Sequence, residues 1–146
     1  MTFQPNAGNR NDRPVITVND RGLTLGVDAD GAWVIWNEDD TARPAHTVWL
    51  AHDRLMWLLP LLQKPQQVVI EAVIAAKADG ELLPSVLRFA LESWSEYWAG
   101  LALGWLEAGY PSTRLLDALH ALKDSPRQPQ PVRHRALHLW RAATAP

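Results

Sequence analysis

Near Ala51 the hydrophobic pattern of this chain changes period, and that switch does most to limit what the chain can fold into. Before it, apolar residues recur at every second position. Leu23, Leu25 and Val27 alternate with Thr24 and Gly26, the pattern of a half-buried strand. Val15, Ile16 and Val18 add β-branched weight, and Asn19-Asp20-Arg21-Gly22 has turn chemistry. Asp28-Ala29-Asp30-Gly31 reads as a hairpin loop, residues 32–36 as a strand apolar on both faces, and residues 46–50 as a last short strand after a polar loop.

Beyond Ala51 the period is helical. Leu55, Leu58, Leu59 and Leu62 form one stripe, shortened by Pro60. Pro65, Pro84 and Pro111 each suit a first helical turn, and Gly80 and Gly109 suit the stops before the next link. Ser93 and Glu96 have capping-box spacing for a helix running to Ala108. Three prolines within residues 125–131 demand a loop, and residues 132–143 form a final helix. The alternation of helix, glycine, link and proline resembles a short HEAT-like stack in rhythm alone. The pattern predicts an α+β protein. A small antiparallel β-meander of three or four strands (15–50) precedes a bundle or HEAT-like stack of five or six helices (51–146). Residues 15–146 read as a single domain and residues 1–14 as a disordered tail.

The chain has 146 residues, the size of one domain that can bury a core without metals or disulfides. It has no cysteine, which removes disulfides and thiolate zinc sites. A formal charge of −2 gives no whole-molecule attraction to nucleic acid or anionic lipid. Without an apolar leader near Met1 or a long apolar run, a cytoplasmic protein with no membrane partner is expected. Eleven arginines against three lysines, with abundant Ala and Leu, point to a GC-rich bacterial genome.

Eight tryptophans are the other conspicuous feature. Such rings build cores and binding hot spots alike. Between Glu96 and Glu107 the chain carries no charge, so that helix reads as central and buried, with Trp94, Trp98, Leu101 and Trp105 along one stripe. Gly100 and Gly104 lie on another face, where a second helix can approach. In the strands, Trp33 and Trp36 point to opposite faces, and only one face can pack on helices. The second face is covered by the tail or by self-association as a homo-oligomer, or else it is exposed. An exposed face rimmed by Glu38, Asp39 and Asp40 would bind a partner with a basic surface. On that reading Trp36→Ala weakens partner capture without unfolding the protein.

Three functions follow, in order of preference. The first is a non-catalytic protein-binding module, a bacterial inhibitor, immunity-type or adaptor protein acting by occlusion through Trp33, Trp36 and the acidic loop. The second is nucleic-acid association through Arg127, Arg133, Arg135 and Arg141, since residues 123–146 hold five basic groups and one acid. The third is an enzyme whose general bases are drawn from His46, His52 and His120 converging in one pocket. No phosphate loop, nucleophile elbow or dinucleotide fingerprint is present. His134 and His138 share a helix face, but the arginines around them oppose a dication, so neither metal nor cofactor is expected.

Overall fold

The strands β1 (Arg13–Thr17), β2 (Leu23–Val27), β3 (Trp33–Asn37) and β4 (Val48–Leu50) pair antiparallel in chain order. They belong to a computed structural model that describes residues 12–38 and 47–145. Among these residues the sheet is followed by six α-helices, so the fold is α+β as the period switch predicts. The chain divides into two compact units, Met1–Leu82 and Leu83–Pro146.

The sheet in the first unit is set by its turns. Asn19 Oδ1 accepts from the backbone N–H of Arg21 (2.9 Å) and Leu23 (3.1 Å), which closes the β1–β2 turn. Asp28 Oδ1 likewise accepts from Asp30 and Ala32, each at 2.9 Å. β1 begins at Arg13, earlier than the sequence pattern places it, and includes Pro14. Proline is tolerated because β1 is an edge strand with an irregular register between Pro14 and Ile16.

Register sorts the side chains. Leu25 opposes Ile35 and Val27 opposes Trp33, so these four share a face, with Trp49 beside Ile35. Thr24, Gly26, Val34, Trp36 and Val48 share the other. Residues 24–27 and 33–36 are buried on both faces, while at the β4 edge Trp49 is half-buried and Leu50, opposite Val34, is exposed. Gly26 is needed here because a Cβ would collide with the Trp36 ring and with the Arg13 carbonyl of the neighbouring strand.

After β4 come a 3-10 turn (Ala51–Asp53), the single-turn helix α1 (Leu55–Leu58) and a second 3-10 stretch (Leu59–Gln63), where Pro60 tightens the turn. Helix α2 (Gln66–Ala76) packs along β1, and the Arg13 guanidinium donates to the Ala76 carbonyl at 3.3 Å. α2 ends earlier than expected. Its left-handed C-terminal residue is Lys77 (φ 54°), and Gly80 is not left-handed.

The second unit is a helical bundle. Helix α3 (Leu82–Glu92) starts at the last residue of the first unit and leads into α4 (Glu96–Glu107), α5 (Leu116–Lys123) and α6 (Gln130–Thr144). α6 packs on α5 and α4. The N-cap of α4 is Ser95, whose Oγ accepts from Trp98 N–H at 3.2 Å. Ser93 Oγ instead donates to the Ala90 carbonyl at 2.7 Å, so the capping box at Ser93 is not formed. Moving the cap by two residues leaves Trp94 outside the helix. Ala99, Ala102, Leu103 and Leu106 form the most buried stripe of α4, joined by Trp105, while Trp98 and Leu101 lie at its half-buried edge. Gly109 (φ 114°) follows as expected, a conformation that suits glycine.

Candidate functional site

The two strand tryptophans expected as partner anchors lie inside. Trp33 is 2% exposed and its Nε1 donates to the Asp79 carbonyl at 2.8 Å. Trp36 is 4% exposed, lies over Gly26, and donates from Nε1 to Glu38 Oε1 at 3.2 Å. No exposed aromatic face is formed by these rings, because β2 and β3 are buried on both sides where the rings lie. Glu38 is exposed; Asp39 and Asp40 lie outside the described residues. Trp36→Ala is therefore expected to unfold the sheet rather than to spare it.

The arginines named for nucleic acid divide by environment. Arg135 lies across Gly100 and Gly104. It donates to both carboxylate oxygens of Glu107 (2.9 and 2.7 Å) and to the Gly100 carbonyl (3.1 Å). The small-residue face of α4 thus receives a guanidinium where the sequence suggested a helix backbone. The hydrogen bond from Arg135, aided by its charge, holds the Glu107 carboxyl below the usual carboxylate range against the opposing effect of burial. Arg133 has its Nε buried without a partner among the described residues. Arg141 is exposed near the end of α6, and Lys123 pairs with Asp124 at 2.7 Å while lying over Trp140. The local surplus of positive charge is therefore partly spent within the second unit.

The histidines stand in different settings. His52 contacts Asp79 at 3.2 Å in the first unit, and His120 packs against Trp140 with ring centroids 5.2 Å apart in the second. His46 lies outside the described residues. No group of three or more His, Cys, Asp or Glu among the described residues could hold a metal ion. Asp28 is a turn element, its carboxylate engaged by the N–H groups of Asp30 and Ala32 in its own hairpin.

Among the described residues, the turn between α3 and α4 and the start of α4 carry the most exposed aromatic surface. Trp94 is 70% exposed and Tyr97 56%. Tyr97 stands edge-on to Trp98 with centroids 5.0 Å apart. The Arg127 guanidinium lies 3.9 Å from the centre of the Trp94 ring, a cation–π contact. Buried Gln128 donates from Nε2 to the Ser93 carbonyl at 3.2 Å, which pins the proline-rich segment 125–131 beneath the turn. The exposed indole is thus held from two sides of the chain. Sequence reading placed Trp94 on the buried stripe. The signal that could have found it was Ser95, an equally good cap whose choice ejects Trp94 from the helix. In the first unit, Trp49 and Trp57 make a smaller edge-on pair at 5.1 Å, flanked by exposed Met56 and by Arg54.

Fold and site together define an α+β chain with a meander, a helical bundle and an aromatic turn. Comparison with protein-family models, curated proteins and solved structures returned no match. No helix among the described residues is long and apolar enough to cross a membrane.

Proposed function

We propose that the protein is a non-catalytic binding module that captures a protein partner and acts by occlusion, as a bacterial inhibitor, immunity-type or adaptor protein in the cytoplasm. The observation that carries this reading is Trp94, 70% exposed yet braced by Arg127 at 3.9 Å. A large indole fixed in water loses little entropy on docking and gains its full desolvation when covered, the profile of an interface anchor. Tyr97 extends the surface; in the first unit, Glu38, Asp39 and Asp40 carry the acidic charge that attracts a partner with a basic surface. The test is capture from nuclease-treated native lysate, followed by titration of the retained protein against wild type and Trp94→Ala. Removal of a hot-spot tryptophan is expected to weaken binding by about thirtyfold or more, equivalent to ~2 kcal/mol. An empty column, or equal affinity for both forms, overturns it.

A second reading draws on the same pair. An exposed indole beside a guanidinium also suits a stacked base and its phosphate. Arg127 is the arginine placed for it, and Arg141 is exposed near the end of α6. It predicts quenching of tryptophan fluorescence by a single-stranded oligonucleotide, with affinity that falls as salt rises. Quenching that ignores both salt and Arg127→Ala rejects it.

A further inference from the structure

The first unit has an open cavity of about 350 Å³ between the β1–β2 turn and the end of the second 3-10 stretch, lined by Val18, Asn19, Asp20, Pro60, Gln63 and Lys64. Its floor and rim differ in character. Pro60 is half-buried and offers the accessible apolar surface, with buried Val18 behind it. Asp20 and Lys64 bring one carboxylate and one ammonium to the same depression, and neither side chain makes an ion pair among the described residues. Both stand on fixed backbone. Asp20 sits in the turn closed by Asn19 Oδ1 and by the Val18 N–H bond to the Leu23 carbonyl at 2.7 Å. Lys64 donates its own N–H to the Leu61 carbonyl at 3.2 Å and precedes Pro65, which restricts its backbone. Asn19 Oδ1 is already used twice, so its side chain has only amide N–H groups left to offer.

We infer that this cavity binds a small zwitterion, a free amino acid or a similar molecule with one ammonium and one carboxylate. The ligand's ammonium faces Asp20, its carboxylate faces Lys64 and the Asn19 amide, and a small apolar side chain rests on Pro60. A volume at the low end of ligand pockets is matched to a molecule of this size. A ligand carrying both charges satisfies both cavity charges at once, whereas an anion or a cation alone leaves one of them unmatched. This site does not depend on the role assigned to Trp94.

The test uses the full chain and backbone amide NMR. Glycine, alanine, valine and γ-aminobutyrate are titrated to about 10 mM, alongside N-acetylalanine and alanine amide. Saturable shifts at residues 18–20 and 61–64 are expected with at least one free zwitterion. Blocking either end should weaken binding about tenfold, the loss of one charge-assisted hydrogen bond. Asp20→Asn and Lys64→Met should each do the same. No saturable shift with any free zwitterion overturns the inference. So does equal binding of the blocked forms, which need no variant and so cannot be confused with misfolding.

Discussion

Trp33 and Trp94 are the same residue under opposite rules. Trp33 sits mid-sheet with its ring 2% exposed and its indole N–H tied to a backbone carbonyl. Trp94 sits in an interhelical turn, 70% exposed, with a cation on its face. In the sheet, register leaves no freedom: each inward side chain meets a fixed opposite neighbour. In the turn, a shift of two residues in where a helix is capped moves a ring from core to solvent. Tryptophan content therefore marks aromatic surface of one kind or the other, and backbone context decides which.

The sharpest way to break this comparison is truncation on both sides. Trp33→Ala is expected to cost about 3–5 kcal/mol, measured by urea unfolding, since it opens a cavity and orphans the Asp79 carbonyl. If Trp33→Ala and Trp94→Ala cost the same, the contrast between the regions is wrong. Gly26→Ala comes next, at about 1–3 kcal/mol or more, because the new methyl meets the Trp36 ring and the Arg13 carbonyl. A neutral Gly26→Ala would show that Trp36 does not rest on that strand.

A smaller effect belongs to Glu107. Its folded-state carboxyl is held below the usual range by Arg135. The resulting stability is present above the unfolded value of about 4.3 and is lost as pH falls through the lower folded value. Glu107→Gln should flatten that loss. The side chains are 38% and 41% exposed, so the effect should stay under about 1 kcal/mol, read as urea midpoints between about pH 6 and pH 3. The smallest effect is expected at Trp94→Ala, within about 0.5 kcal/mol of wild type, because the ring buries little of itself. A larger loss would make Trp94 part of the core and remove the proposed anchor.

The sequence was legible where local chemistry and pattern agreed. The period change near Ala51 foretold the sheet and the helices after it. Asn19, Asp28 and Gly109 foretold turns that their own short-range hydrogen bonds or backbone conformation enforce. Pattern also showed that Trp33 and Trp36 face opposite ways, yet it could not say whether the second face is covered. It placed the cap of α4 at Ser93, two residues before Ser95, which caps the helix in the fold, since the choice rests on how the bundle holds the turn. Gly100 and Gly104 were read as room for a helix, and the room is filled by Arg135, a residue 31 positions beyond Gly104.

Periodicity and turn chemistry are local properties, so the sequence by itself determined the α+β class, the strand order of the hairpins and most helix positions. Burial is a property of what arrives from far along the chain. Only the tertiary structure decided that Trp33 and Trp36 are both buried, that Arg135 lies over the glycines of α4, that Arg127 braces Trp94, and that Asp20 and Lys64 share one cavity. Each of these pairs residues that no short window contains, and packing and charge contacts form only once the backbone has brought them together.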